Sequence, residues 1–415
     1  MSFSQLPLAP ILQQNLSHLG FIEATQIQAQ AIPIILAGKD VLAGAQTGTG
    51  KTAAFGLPLI QQILSQALSP APGNAPCILK ALVLVPTREL ALQVFTQLEA
   101  LASHTGVRAG LAYGGVSIDG QIRALAQGID VLVATPGRLI DLLKKRRLNL
   151  KQLAMLVFDE ADRMLDMGFM DEIREILKHL SKTRQTLLFS ATLNDNIFKL
   201  SKRLQHQAQV IEVHGRNTTA VSVTEQVYQV DTERKLDLLS HLLRRHAWSR
   251  VLIFSRQRQD VAKLSQDLLQ QGFNVAPLHG DLSQHVREQT LSSFKRHEIN
   301  VIVATDIAAR GIDIDDLPVV INMELPFKTE DYVHRIGRTG RAGQQGLAIS
   351  LLDHQDEKLL HNLETFLGRR LPSQWYLGFE PDLTKHHDMP KSLSKAAQKQ
   401  AARKKALAQS KQRSS

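Results

Sequence analysis

Short uninterrupted apolar runs recur along the chain, each closed by small or polar residues and followed by a helix-compatible stretch. In the first half they stand at 41–45, 81–85, 131–134, 154–158 and 186–190, separated by stretches such as 88–103 and 171–180. A polar break follows near 206–224, where His206-Gln207 and Asn217-Thr218-Thr219 carry turn signals. The pattern then repeats at 250–254, 275–278, 301–304, 319–322 and 347–351. An unbroken apolar run marks a strand buried on both faces, and strands alternating with helices predict an α/β fold of parallel sheets covered by helices. The pattern predicts one domain over 1–207, a linker over 208–224, a second domain over 225–380 and a tail over 381–415.

The length of 415 residues exceeds one typical core, in keeping with two domains. No run approaches the roughly 20 apolar residues of a membrane span. Met1-Ser2-Phe3-Ser4 has neither a basic leader nor a long apolar segment behind it, and Cys77 is the only cysteine. Intramolecular disulfides and thiolate zinc clusters are therefore excluded, and the expectation is a cytoplasmic protein with no membrane partner. Charge changes the picture at one place. Residues 385–415 hold nine Lys and Arg against Asp388 alone, a net +8 out of the chain's +10. With no aromatic residue after Phe379, this tail cannot bury enough surface to fold by itself and reads as a disordered polyanion tether.

Candidate chemistry sits where the apolar runs end, as ligand sites of open α/β sheets do. The first run leads into Ala45-Gln46-Thr47-Gly48-Thr49-Gly50-Lys51-Thr52. Its glycines let backbone N–H groups turn toward one anion, Lys51 supplies a point charge for the outer phosphates, and the Thr52 hydroxyl suits Mg²⁺. Ala45 stands where the usual template has glycine. The run 153–158 ends in Asp159-Glu160-Ala161-Asp162. Alone, such acids cap helices; beside a phosphate loop, one can hold a metal ion while the other orients a water. In the second half, His334-Arg335-Ile336-Gly337-Arg338-Thr339-Gly340-Arg341 concentrates cations, and Arg338 and Arg341 suit a γ-phosphate as arginine fingers. Two related sheets with a single phosphate loop imply a nucleotide clamped at their cleft, with the second domain completing the site.

Taken in order, these segments resemble the DEAD-box RNA helicases of superfamily 2. The matches are Gly20-Phe21 with Thr25 and Gln28, the phosphate loop, Pro86-Thr87-Arg88-Glu89-Leu90 and Gly114-Gly115. They continue through Thr135-Pro136-Gly137-Arg138, the Asp159–Asp162 box, Ser190-Ala191-Thr192, Gln284 with Arg287, Ala304-Thr305-Asp306 through Arg310-Gly311-Ile312-Asp313, and the His334–Arg341 loop. The wording of Asp162–Phe169 is most similar to the bacterial RhlE-type branch. Ala24 departs from the proline usual before Thr25.

The resemblance implies two tandem RecA-like domains with an ATP/RNA cleft between them and ATP and Mg²⁺ as cofactors. It assigns Phe21, Thr25 and Gln28 to adenine, with Phe3 packed near the base, and residues Ala45 through Thr52 to the phosphates. Thr52 and Asp159 hold Mg²⁺, Glu160 orients the attacking water, and Asp313 contacts the ribose. Asp162, Ser190, Thr192 and His334 couple hydrolysis to closure. Pro86, Arg88, Gly115, Thr135, Arg138, Thr305 and Arg310 bind RNA. Apart from Tyr113 these RNA segments have no aromatic platform, so backbone binding with little sequence preference is expected. A preference for RNA requires contacts to the 2′-hydroxyl. The implied partners are ribosomal precursors or RNA-decay proteins, the implied state a monomer. Two other classes use related residues: an ATP-gated RNA clamp with little unwinding, and a DNA translocase.

Deleting residues 385–415 should leave ATP turnover at saturating RNA near its full value, since the motifs end at Arg341. The RNA concentration giving half-maximal stimulation should rise, and log affinity should depend less steeply on log salt. An unchanged affinity and salt slope would show that the tail is no RNA tether.

Overall fold

The computed structural model describes residues 2–45, 48–65, 77–213, 223–309, 314, 317–340 and 345–382. Gln46, Thr47, Arg310, Asp313 and Arg341, the stretch 214–222 of the expected linker and the tail from 383 lie outside the described residues. The chain divides near residue 216 into two compact units, each with its own sheet.

In the first unit the strands are β1 Val41–Gly44, β2 Cys77–Ile78, β3 Ala81–Leu84, β4 Ala109–Ala112, β5 Val131–Ala134, β6 Leu148–Asn149, β7 Met155–Phe158, β8 Gln185–Ser190 and β9 Gln209–Glu212. Seven of them form a parallel sheet in the order β4-β5-β3-β7-β8-β1-β9, and β2 pairs with β6 apart from it. Successive residues of one strand feed opposite cores. Val41 and Ala43 join Phe55, Val83 and Phe189 on one face, while Leu42 joins Leu82, Leu156 and Phe158 on the other. Burial on both faces explains why the central strands read as continuous apolar runs.

The second unit repeats the plan with β10 Val223–Gln229, β11 Val251–Phe254, β12 Val275–Leu278, β13 Val301–Ala304, β14 Val319–Asn322, β15 Gly346–Leu352 and β16 Ser373–Trp375. Its parallel sheet runs β12-β13-β11-β14-β15-β10-β16. The ten expected strands are all present.

Besides the short pair β2 and β6, four strands of the two seven-stranded sheets were not expected, and three of them are edges. β4 is Ala-Gly-Leu-Ala with alternating burial, β9 is mostly exposed, and β16 is only three residues long. An edge strand needs no continuous apolar run. The fourth, β10, lies inside its sheet but alternates polar residues along Val-Thr-Glu-Gln-Val-Tyr-Gln. β9 falls inside the expected 208–224 linker yet pairs with β1 along its length, so the first unit runs through Glu212 rather than ending at 207.

Asp40, just before β1, fastens that edge. Its Oδ1 accepts the Thr186 N–H at 2.7 Å at the start of β8, and its Oδ2 accepts the His206 N–H at 2.7 Å ahead of β9. Asp40→Ala should destabilise the unit by about 2–4 kcal/mol, because two amides lose their acceptor. The effect should appear as a lower urea midpoint and faster hydrogen exchange at Thr186 and His206. Unchanged exchange at both amides would refute the role.

Candidate functional site

β1 delivers the phosphate loop. Beyond Gly44, the Ala45 N–H donates to the Ser190 carbonyl at 2.9 Å, which ties the loop's start to the end of β8. Gly48 and Gly50 adopt φ of 83° and 86°, and Gly50 caps the helix Lys51–Leu64. A side chain at Gly50 would be strained in this left-handed conformation and would overlap the Gln28 amide. Gln28 is 1% exposed; its Nε2 donates to the Gly50 carbonyl at 3.1 Å and its Oε1 accepts the Thr25 N–H at 2.8 Å. The Thr25 hydroxyl donates to the Thr49 carbonyl at 2.8 Å. The expected adenine reader is thus also a strut of the phosphate loop. Each end of its amide keeps one further hydrogen-bonding valence. Phe21 stands exposed, edge-on to the buried Phe3 ring at 6.0 Å.

Lys51 is buried, and among the described residues its Nζ has no hydrogen-bond partner. Its charge is felt at Asp159, at the end of β7, one strand beyond β8. Burial pushes the Asp159 carboxyl up from 3.8 to about 6; Lys51 opposes this, while Glu160 and Asp162 add to it. The Asp159 Oδ1 accepts the Glu160 N–H at 3.0 Å. Glu160 itself is left-handed, with φ 55°, and its Oε2 pairs with the Arg163 guanidinium three residues on. Asp162 faces the other way. Its Oδ2 accepts the Ala191 N–H at 3.2 Å, the Thr192 N–H at 3.0 Å and the Thr192 hydroxyl at 3.1 Å. The Ser190 hydroxyl donates to the Thr192 carbonyl at 2.7 Å. The three residues expected to couple hydrolysis to closure in this unit are therefore one hydrogen-bonded group.

The residues present fit a Mg²⁺–nucleotide. Mg²⁺ takes one or two protein oxygens together with phosphate oxygens and waters, rather than a closed cage. Asp159 and the partly buried Thr52 supply that kind of set, and among the described residues no group of three or more His, Cys, Asp or Glu forms a cage.

The other half of the same sheet, β4-β5-β3, carries the expected RNA residues at its strand ends. Pro86 and Arg88 follow β3, and the Arg88 guanidinium lies directly against Gly115, after β4, where φ is 82° and any side chain would overlap it. Thr135 follows β5 and caps the helix Pro136–Lys144. Arg138 is largely committed to the scaffold, since its Nη1 donates to the Gln121 Oε1 at 2.8 Å and its Nη2 to the Val116 carbonyl at 2.8 Å.

In the second unit Thr305 follows β13, buried, and its hydroxyl accepts the Ala308 N–H at 3.4 Å. His334 lies in the helix Thr329–Ile336, and Arg338 is 5% exposed just beyond it. Two residues given no role in the sequence reading prove central. Arg335, 1% exposed, grips both carboxylate oxygens of Asp306 at 2.6 and 2.7 Å, and also donates to the Asn322 Oδ1 and the Glu324 carbonyl. Arg163 holds Glu160. Their signals were slight: Arg163 follows an acid at helical spacing, and Arg335 sits among more conspicuous arginines.

Residues 25–200 match the family described as DEAD/DEAH box helicase, and 234–343 match the helicase conserved C-terminal domain. An ATP-dependent RNA helicase CshA of Listeria monocytogenes is 42% identical over 369 residues, 89% of this chain and 69% of that one. An ATP-dependent RNA helicase RhlB of Pseudomonas syringae pv. tomato is 41% identical over 374 residues, 89% and 93% of the two. Among solved structures, Saccharomyces cerevisiae Dbp5 bound to RNA and ADP BeF3 superposes with a TM-score of 0.78 at 29% identity, covering 92% of this chain and 95% of that one.

The Asp159 carboxyl sets a pH dependence. With a folded value of about 6 against an ordinary 3.8, the folded protein binds the extra proton between those limits. Stability from this group is full below 3.8 and is lost as pH rises through 6. Asp159→Asn should therefore flatten the fall in melting temperature across that window, and Mg²⁺–nucleotide affinity should weaken below about pH 6, where the carboxylate is lost. Parallel melting curves for both proteins would show that Asp159 does not titrate there.

Proposed function

The chain belongs to the DEAD-box family of ATP-dependent RNA helicases, and from that premise we propose how its residues divide the work. It is an RNA-dependent ATPase that uses ATP to separate or remodel RNA. The observation that carries the assignment of residues is the buried Lys51 ammonium, without a hydrogen-bond partner among the described residues, at the head of a helix and near enough to Asp159 to lower its carboxyl's proton affinity. An ammonium so placed is stabilised by an incoming anion, and the helix start favours the same charge.

In this reading the loop from Ala45 to Thr52 cradles the phosphates, Lys51 pairs with the outer ones, and Phe21 and Gln28 receive the adenine. Thr52 and Asp159 hold Mg²⁺, which when bound neutralises charge on the phosphate oxygens. Glu160 orients the water once its carboxylate leaves Arg163. Asp313, Arg338 and Arg341 complete the nucleotide's contacts, with His334 in the relay. Arg88 and Gly115 grip RNA phosphates, joined by Thr305 and Arg310. The natural RNA is a ribosomal precursor or a transcript in decay, the compartment the cytoplasm, the working form a monomer and the branch RhlE-type. Sequencing RNA crosslinked to the protein in cells tests the first of these. Among the described residues no helix is long and apolar enough to cross a membrane.

Glu160→Gln keeps the shape of the side chain and removes the base. It should bind ATP normally and hydrolyse it about 10²–10⁴-fold more slowly. If hydrolysis releases RNA, the variant should also remain on RNA while ATP is present. Near-normal turnover would sink the assignment of Glu160.

A further inference from the structure

We propose that the RNA track of the first unit continues past Gly115 into a basic groove at the end of the helix Pro136–Lys144, where the strand's phosphates meet Lys144, Lys145, Arg146 and Arg147. This extends the RNA reading given above and rests on it. The groove has a volume of about 430 Å³ and is lined by Val116, Ile118, Arg138, Asp141, Lys144 and Lys145. It shares Arg138 with the expected track and runs on from there to Lys144 and Lys145. The Arg138 Nη2 holds the carbonyl of Val116, the residue after Gly115, so the loop that leaves the Arg88–Gly115 contact forms one wall.

Charge favours an anion. Arg138, Lys144 and Lys145 line the groove with a single acid, Asp141, and the next two residues, Arg146 and Arg147, are exposed. Glu175 feels Lys144 but is bonded to Lys178. Arg138 is 8% exposed, and its Nε is buried without a hydrogen-bond partner, 3.7 Å from Asp141. Val116 and Ile118 offer an apolar wall to a sugar or base.

The ordinary explanation for basic residues here is the helix dipole, which attracts cations to the last turn. It accounts for Lys144 but not for Lys145, Arg146 and Arg147, which lie beyond that turn. Arg146 adopts φ 53°, a conformation in which glycine ends helices at least strain; the helix closes there through Arg146 N–H to the Leu143 carbonyl and Arg147 N–H to the Leu142 carbonyl. A charged side chain thus stands where its absence would relax the backbone.

The test compares the full chain with Lys144→Ser/Lys145→Ser and, separately, with Arg146→Gly, using a short and a long fluorescent oligouridylate. For the long strand the double variant should need about 3–10-fold more RNA for half-saturation, with a shallower salt slope, while the short strand binds as before. Arg146→Gly should melt at an equal or higher temperature yet bind the long strand more weakly, which a purely structural role would not produce. Unchanged affinity and salt slope for the long strand overturn the proposal, and an acidic protein partner then becomes the better occupant. Failure of unaltered protein to bind either strand or to show RNA-stimulated ATP hydrolysis would instead overturn the RNA reading beneath it.

Discussion

Four donors converge on the Asp162 carboxylate: the Arg163 N–H on Oδ1, and on Oδ2 the amides of Ala191 and Thr192 with the Thr192 hydroxyl. A buried carboxylate short of partners is costly, so the segment after β8 has to lie across the end of β7. That placement fixes Ser190, whose carbonyl accepts the Ala45 N–H and thereby sets where the phosphate loop leaves β1. Three neighbouring strand ends are stitched into one row by a single acid. Asp159 ends one outer strand of that row and Lys51 follows the other, near enough for the ammonium to act on the carboxyl.

The sequence disclosed most of this because the chemistry restricts residue types. A phosphate loop needs glycines, a lysine and a hydroxyl in one order, and a central strand buried on both faces needs an unbroken apolar run. The edges were less legible. β9 is mostly exposed, so its four residues carry no pattern that separates them from a linker, and only pairing with β1 makes them part of the sheet. The site was legible by role and less so by partner. Nothing in the spelling of Thr135–Arg138 says that two of the Arg138 nitrogens are spent on Gln121 and Val116. Nor does the acidic box reveal that Glu160 rests on Arg163, because that depends on the left-handed turn at Glu160 bringing the pair onto one face.

Buried cations in the two units illustrate the distinction that the motifs blur. Arg335 is saturated: Asp306, Asn322, the Glu324 carbonyl and the face of Phe254 surround it. A guanidinium so held positions its neighbours. It joins Asp306, next to Thr305, to the helix that leads into Arg338. Lys51 lacks such partners among the described residues, and burying an ammonium in that state is costly unless an anion is bound.

The same criterion separates the arginines at the edge that carries the expected RNA residues. Arg88 packs its guanidinium against a glycine in left-handed conformation, in the space that a side chain there would take. Arg138 spends its forked nitrogens on the loop that carries that glycine, and so sets the shape of the track more than its charge. If motif residues divide in this way, charge for the strand beyond Gly115 has to come from side chains outside the motifs. The exposed run from Lys144 to Arg147 is where this chain supplies it, at the end of the helix that Arg138 begins. Recognition of a uniform phosphate backbone requires only that such charges continue at roughly the spacing of the strand, whatever their motif.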